Sequence, residues 1–156
     1  ADFTCSDESL DTYLKDNISS DVSRNACKAY VLKKRGEDDV LGYYTLSKDS
    51  VSLENAPNEI QRKYRKKSIG VVLIGRYAVH SSIQGKGIGK SMLYKAYSDI
   101  IKVKELISVA GVVVDARTKS AKSFWLSREY VRLSEESEGS EKFMIPMTYI
   151  EKIFSE

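Results

Sequence analysis

The chain has 156 residues, of which 42% are hydrophobic and 30% charged, and its formal net charge is +3. This composition is typical of an ordinary globular protein, predicts a single domain over 1–156 and excludes a disordered or fibrous chain. With one histidine, His80, and no apolar run near about twenty residues, we expect neither a bound metal nor a membrane-spanning helix.

The cysteines, Cys5 and Cys27, lack the spacing of a metal site, and neither stands beside a histidine. We expect them to be reduced thiols of a cytoplasmic protein, because disulfides are rare in that compartment. No secretory signal peptide is visible. The chain begins at Ala1, so a further strand before residue 1 is left open.

The N-terminal part of the chain predicts a helix, a hairpin and a second short helix. Apolar residues at helical spacing predict the first helix over 9–18, with Ser9 as its cap. Strands are predicted over 29–32 and 40–46, joined by a turn rich in glycine and aspartate. Pro57 suits the first turn of the second helix.

Five cations in six residues then follow: Arg62, Lys63, Arg65, Lys66 and Lys67. Such a run is either a solvated connection or a contact surface for a phosphate backbone, and the sequence leaves both open. Further basic clusters at 102–104 and 117–122 favour the second interpretation.

An apolar strand over 71–79 leads to a short polar break and then to a helical pattern that starts at Ile88. Alternating glycines and two lysines stand at this junction: Gly85, Lys86, Gly87, Gly89 and Lys90. Glycines let the backbone approach a ligand, and the helix N-terminus and lysines add positive charge. The junction therefore predicts an anion site.

Three phosphate-binding patterns compete for this junction. The P-loop pattern G-x-x-x-x-G-K-S/T fails because Gln84 occupies the position of its first glycine. The dinucleotide pattern G-x-G-x-x-G fails because Lys90 occupies the position of its third. The segment 84–89 fits Q/R-x-x-G-x-G/A, the acetyl-coenzyme A loop of the GNAT N-acetyltransferases, and the chain resembles that family.

The remaining third of the chain completes a strand–helix–strand unit and adds a terminal hairpin. A strand over 107–116 predicts parallel pairing with 71–79. A short helix capped by Ser120 follows. The last predicted elements are a strand at 131–133, an acidic turn at 135–141, a strand at 142–145 and a helix at 149–154.

Several segments resemble one branch of the family, the tRNA-acetylating toxins of bacterial toxin–antitoxin pairs. In chain order they are 3–5, 10–14, 42–47, 74–79, 121–124 and 143–147. The resemblance implies the α/β GNAT fold, a mixed, mostly antiparallel sheet splayed at its central strand and flanked by helices. It also implies an acetyl-CoA-dependent enzyme that acetylates the amino group of aminoacyl-tRNA and blocks translation. Its implied partners are a second copy in a homodimer and an antitoxin of the ribbon-helix-helix type.

The resemblance also assigns site residues. Cofactor contacts fall on a set that begins at the central strand and ends in the helix after residue 120: Tyr77, Ala78, Val79, Gln84, Gly85, Lys86, Gly87, Ile88, Gly89, Lys90, Phe124 and Arg128. Backbone N–H groups of residues 78 and 79 are expected to stabilise negative charge on the reacting carbonyl. The tRNA contacts fall on the five cations of 62–67.

The chain departs from the branch at the catalytic position. Trp125 stands where the branch has the tyrosine assigned as its general acid, Glu129 and Tyr130 replace Gly-Phe, and His80 replaces an aspartate. An indole N–H donates a hydrogen bond but cannot transfer a proton as a phenol can. Tyr130 and His80 are lesser candidates for the catalytic role. Whether Trp125 is natural or an inactivating change is open.

Two alternative functions stay open from the sequence alone. One is a GNAT enzyme that acetylates a protein amine or a small amine. The other is a catalytically impaired module that only binds the cofactor. Of the neighbouring tyrosines Tyr43 and Tyr44, one is expected in the core and the other facing a cleft.

Overall fold

The computed structural model describes residues 2–137 and 139–155, including their side chains except those of 134–137. Six helices and six strands are present in this part of the chain. The helices are α1 (Glu8–Asp16), α2 (Ile18–Ser23), α3 (Asn58–Lys63), α4 (Ile88–Leu106), α5 (Lys119–Leu126) and α6 (Met147–Ile153). The strands are β1 (Lys28–Lys33), β2 (Val40–Ser52), β3 (Ser68–Val79), β4 (Gly111–Ala116), β5 (Val131–Ser137) and β6 (Ser140–Pro146).

The strands form one mixed sheet in the order β1-β2-β3-β4-β6-β5. Antiparallel pairs join β1 to β2, β4 to β6 and β5 to β6, whereas β3 and β4 are parallel. The parallel ladder runs from the pair Val72–Val112 to the pair Ile74–Val114, and β3 then continues to Val79. The predicted hairpins and strand–helix–strand unit are confirmed.

The chain divides into two compact units, and a single domain over 1–156 stays a prediction. The first unit comprises Ala1–Ser47 and Gly75–Asp99. Its core packs residues of the N-terminal segment, α1, α2, β2 and β3 together: Cys5, Tyr13, Ile18, Tyr43 and Ala78. Burial raises the pKa of the Cys5 thiol to about 12, which favours an unreactive thiol.

Both neighbouring tyrosines of β2 are buried, so the expectation that one faces a cleft is wrong. Tyr43 is 0% exposed and its hydroxyl donates to the Leu10 carbonyl at 2.6 Å. Tyr44 is 2% exposed and donates to the Asp99 carboxylate at 3.0 Å. A buried phenol hydroxyl needs such a hydrogen-bond acceptor. The alternation of side chains along a strand cannot reveal that helices supply an acceptor on each face of the sheet.

The second unit comprises Lys48–Ile74 and Ile100–Glu156. Its core brings together β2, α3, β3, β4, β5 and β6 through Val51, Ala56, Ile60, Ile69, Val71, Ala110, Val113, Leu133 and Met144. Gly111 is the first residue of β4, and a Cβ at this position would overlap the carbonyl oxygen of Ile145. Backbone packing at this point thus requires glycine.

Several predicted boundaries were wrong. The helix predicted over 9–18 is two helices, and Asp7, not Ser9, caps the first by accepting from the Ser9 N–H at 3.0 Å. Thr118, not Ser120, caps α5 by accepting from the Ala121 N–H at 3.0 Å. The strand predicted from 107 begins at Gly111, because the Ile107 N–H still bonds to Val103 in the helical manner. The acidic turn predicted over 135–141 is shorter, because β5 extends to Ser137 and β6 begins at Ser140, and residue 138 lies outside the described residues.

Candidate functional site

The segment after β3 is fixed to the N-terminal segment and to β2 by backbone hydrogen bonds. The His80 N–H donates to the Leu41 carbonyl at 2.7 Å, and the Ser81 N–H donates to the Thr4 carbonyl at 2.7 Å. The Ser81 hydroxyl adds a second bond to Thr4 at 3.0 Å. The end of β3 is therefore held in place before the glycines begin.

Gln84 ties the glycine loop, residues 84–87, to the end of β3. Its side-chain amide donates to the Val79 and Cys5 carbonyls, each at 2.9 Å. Both amide hydrogens are thereby used, so the side chain orients the loop. A ligand at this loop would meet the backbone of Gln84 and of the residues that follow it. Sequence reasoning missed Thr4 and Cys5, because they act through carbonyl groups that every residue carries.

Gly85 and Gly87 adopt the left-handed backbone conformation, each with a φ of 80°. A Cβ at either position would meet no atom within 4 Å, so open space lies beside both glycines. Helix α4 begins directly afterwards at Ile88, and the Ser91 N–H bonds to the Gly87 carbonyl at 3.1 Å. The first turn of such a helix leaves N–H groups without helical partners, which is the arrangement that binds phosphate.

Positive side chains flank this loop. Lys86 and Lys90 are both exposed, so they can move toward an anion without loss of an existing core contact. The Tyr77 hydroxyl donates to the Gly89 carbonyl and thereby links β3 to the first turn of α4. Ala78 is buried, while Val79 is partly exposed at the end of β3. This geometry fits a ligand with a diphosphate.

Phe124 and Trp125 belong to α5 in the second unit, and Arg128 and Tyr130 follow this helix. Trp125 is 3% exposed, and its ring lies 4.9 Å from the Phe124 ring and 5.0 Å from the Tyr130 ring, centroid to centroid. Tyr130 is 2% exposed. The indole is therefore buried and in contact with two aromatic rings, and a hydrogen bond is stronger in such an environment than in water.

Helix α5 ends in a Schellman motif with Glu129 in the left-handed conformation at a φ of 71°. The Tyr130 N–H donates to the Trp125 carbonyl, and the Glu129 N–H donates to the Leu126 carbonyl, each at 3.3 Å. The contact between the Trp125 and Tyr130 rings is the hydrophobic contact that accompanies this motif. Glycine usually occupies the left-handed position, which explains why the resembling branch has glycine there.

Arg128 turns back onto its own helix. Its guanidinium donates to the Phe124 carbonyl at 2.9 Å and lies 3.7 Å from the centre of the Phe124 ring. A cation at a helix C-terminus stabilises the last carbonyl groups. Its predicted contact with the cofactor stays a prediction.

The sequence profile of the Acetyltransferase (GNAT) family matches residues 2–127. The chain belongs to the GNAT acetyltransferase family. It is an N-acetyltransferase whose acetyl donor is acetyl-CoA, and the predictions of family, fold and donor are confirmed. The glycine loop fits this cofactor because two left-handed glycines and a helix N-terminus present backbone N–H groups to open space.

Relatives of this acetyltransferase include toxins. The chain is 26% identical over 128 residues to a tRNA-acetylating toxin of Mycobacterium tuberculosis, covering 82% of this chain and 75% of the relative. The structure of AtaT complexed with acetyl-methionyl-tRNAfMet matches with a TM-score of 0.88 and 28% identity, covering 98% of this chain and 90% of AtaT. A mutant AtaT bound to the C-terminus of the antitoxin AtaR and acetyl-CoA matches with a TM-score of 0.81 and 27% identity, covering 99% and 88%.

The imidazole of the acetyltransferase's only histidine has a structural contact. The Nδ1 atom of His80 accepts from the Ser82 N–H at 3.1 Å and is 2.9 Å from the Ser82 hydroxyl. It caps the short turn at Ser81–Ile83. The Phe3 ring lies edge-on to the imidazole at 5.6 Å. The structure thus gives His80 a capping role, and its catalytic role stays a prediction.

The basic segment, residues 62–67, is open to solvent. All five of its cations are exposed, and none forms an ion pair with the part of the chain that is described. By contrast, Lys104 pairs with Glu151 at 3.2 Å and Lys122 pairs with Glu141 at 3.0 Å. The two other basic clusters are thus partly neutralised, and the segment 62–67 is the stronger candidate for a phosphate contact.

Within residues 2–137 and 139–155, no group of three or more histidine, cysteine, aspartate or glutamate side chains could hold a metal ion. No helix in the same ranges is long and apolar enough to cross a membrane.

Proposed function

We propose that this acetyltransferase is a toxin that acetylates the α-amino group of aminoacyl-tRNA and thereby blocks translation. The observation that carries the proposal is the match to AtaT complexed with acetyl-methionyl-tRNAfMet, over 98% of this chain at a TM-score of 0.88. The relative from Mycobacterium tuberculosis, a tRNA-acetylating toxin, supports the same substrate class.

The glycine loop and the end of β3 would hold the cofactor. Backbone N–H groups of residues 85–90 would hold the diphosphate, and Lys86 and Lys90 would add charge-assisted contacts. The backbone of residues 77–79 would hold the amide arm of the cofactor in the manner of an added strand. Acetyl-CoA supplies the activated acetyl group when it is bound. Phe124 and Arg128 are the further contacts that the family resemblance assigns.

The chain's own groups position the reaction and stabilise charge. Backbone N–H groups of residues 78 and 79 would stabilise the negative charge on the reacting carbonyl. Trp125 occupies the sequence position of the proton donor and supplies at most a hydrogen bond from its indole N–H. Tyr130 and His80 are the lesser candidates for proton transfer. Positioning of amine and acetyl donor is worth up to about 7–11 kcal/mol, so turnover without a phenol is slowed rather than lost.

The tRNA would contact the basic segment through its phosphates, since none of its five cations pairs with an acidic group in the part of the chain that the structure describes. The protein acts in the cytoplasm, where charged tRNA is found. It forms a homodimer, and a cognate antitoxin with a ribbon-helix-helix DNA-binding domain silences it. The mutant AtaT bound to the C-terminus of AtaR supports the antitoxin assignment.

The test is transfer of labelled acetyl groups from acetyl-CoA to total aminoacyl-tRNA, beside peptide and small-amine substrates. We expect label on the aminoacyl-tRNA and loss of the label after deacylation of the tRNA. Label on peptides or small amines alone would favour the alternative enzymes. Cofactor binding without any transfer would favour a catalytically impaired module.

Two matched variants connect this assay to the glycine loop. Gly87→Glu places a carboxylate where phosphate binds, and Gly36→Glu introduces the same change at a φ of 82° in the β1–β2 turn, also in open space. Both variants carry the same backbone strain, so only the first should lose acetyl-CoA binding by calorimetry. Equal affinity in the two folded variants would contradict the phosphate assignment.

A further inference from the structure

A cavity of about 230 Å³ opens in the second unit beside α3 and the start of α6. Its floor is apolar and buried: Ile60 is 1% exposed, Ala110 is 4% exposed and Met147 is 5% exposed. Tyr64, Lys63, Lys104 and Glu151 also line it. Apolar residues thus line the cavity together with polar side chains, and ligand sites combine the two in this way.

Tyr64 is the aromatic wall of this cavity. It is half-buried, and its side chain packs against the core cluster that contains Ile60 and Val71. Such packing restricts the ring, so little conformational freedom is lost when a flat ligand stacks on it. Tyr64 directly follows the last residue of α3.

Polar groups at the edge of the cavity match a nucleobase. The Lys104 Nζ lies 3.2 Å from a carboxylate oxygen of Glu151, which places a donor and an acceptor side by side. Lysine donates to the acceptor atoms of a base, and glutamate accepts from an exocyclic amino group. The ammonium of Lys63 is exposed and available to a phosphate.

Cations continue along the chain on both sides of Tyr64. Arg62 and Lys63 precede it, and Arg65, Lys66 and Lys67 follow it and line an open groove of about 700 Å³. An aromatic side chain within a track of cations is the feature by which proteins bind single strands: the cations follow the backbone and the ring stacks on a base.

We propose that the cavity beside Tyr64 receives one unpaired base of the RNA substrate, while residues 62–67 contact the neighbouring phosphates. The assignment rests on the proposed tRNA substrate. It adds a specific prediction: the protein recognises a single-stranded or splayed nucleotide at this cavity, in addition to duplex phosphates.

The experiment measures fluorescence anisotropy with a labelled oligoadenylate, either single-stranded or annealed to oligouridylate. We expect the protein to prefer the single strand. Tyr64→Ala should weaken single-strand binding by about 5- to 150-fold, the range for loss of one stacked base. Tyr64→Phe keeps the ring and should bind as the parent does. Tyr94→Ala, at a tyrosine of α4 that is 54% exposed, is the matched control and should change nothing.

A second variant covers the case in which Tyr64→Ala fails to fold. Ser108→Leu, at an exposed residue that lines the cavity, should occupy part of the space without adding a ring that can stack, and should reduce the preference for the single strand. Unchanged single-strand binding in folded Tyr64→Ala, or in Ser108→Leu, would overturn the base site. Failure to acetylate any charged tRNA would instead overturn the proposed function, while the oligonucleotide result would still report on the cavity.

Discussion

Glu129 allows the geometry at the end of α5 to be tested by a change in stability. Its φ of 71° costs a residue with a Cβ about 1–2 kcal/mol, and glycine carries no such penalty. Glycine also increases the entropy of the unfolded chain, which offsets about 0.4–1 kcal/mol of the gain. Glu129→Gly should therefore stabilise the protein by about 0.5–1 kcal/mol. At about 2–4 °C per kcal/mol for a chain of this size, the melting temperature should rise by about 1–4 °C.

The control for this variant is Glu129→Ala, which removes the same exposed carboxylate but retains the Cβ and the strain. Its stability should lie within about 0.5 kcal/mol of the parent, as for most surface changes. Urea denaturation can be followed by the fluorescence of Trp125, the single tryptophan, which is buried in the same motif. If Glu129→Gly is no more stable than Glu129→Ala, the assignment of backbone strain at this position is wrong.

Two other predictions concern catalysis and acid stability. Trp125→Tyr should raise kcat for charged tRNA by up to about 10²–10⁴-fold, with little change in the Kd of acetyl-CoA; no increase in single-turnover rate would place the acid elsewhere. The hydrogen bond from Lys122, with Arg132 nearby, lowers the pKa of Glu141 below its ordinary value of 4.5. This carboxylate therefore stabilises the fold at a pH above that ordinary value and loses the contribution as the pH falls through the lowered pKa. In Glu141→Gln, the free energy of unfolding should therefore decrease less between about pH 5 and pH 3 than it does in the parent protein. Glu37→Gln, in an exposed turn, should leave this pH dependence unchanged.

The glycine loop could be predicted from the sequence because its signals are local. A buried strand, a polar break, alternating glycines and a helical pattern occur within the segment 71–101, and each depends only on neighbouring residues. The structure adds the left-handed conformations of Gly85 and Gly87 and the amide contacts of Gln84. The sequence could therefore identify the type of loop. It could not identify the carbonyl groups that orient the loop, because they come from the N-terminal segment and from β3.

Features that depend on distant segments could not be predicted. The cavity beside Tyr64 requires α3, the end of α4 and α6 to meet, and the sequence of 62–67 shows only a tyrosine among cations. The left-handed conformation of Glu129 was equally hidden, because glutamate is a strong helix former and carries no signal for a helix end. The helix caps were misplaced by two residues because serine, threonine and aspartate all satisfy the same rule.

The substitutions that separate this chain from the resembling branch near the catalytic position form one structural unit. Trp125, Glu129 and Tyr130 occupy three positions of a single Schellman motif, and the first and last of them pack ring against ring at 5.0 Å. Residues in direct contact do not act additively, so a change at 125 alters the helix end as well as the chemistry. Trp125→Tyr removes part of the buried indole and should cost stability, whereas Glu129→Gly should restore some of it. The acetyl-transfer rate of Trp125→Tyr must therefore be compared with that of the double variant Trp125→Tyr, Glu129→Gly at equal folded fraction. Only a rate increase that both variants show can be attributed to the phenol.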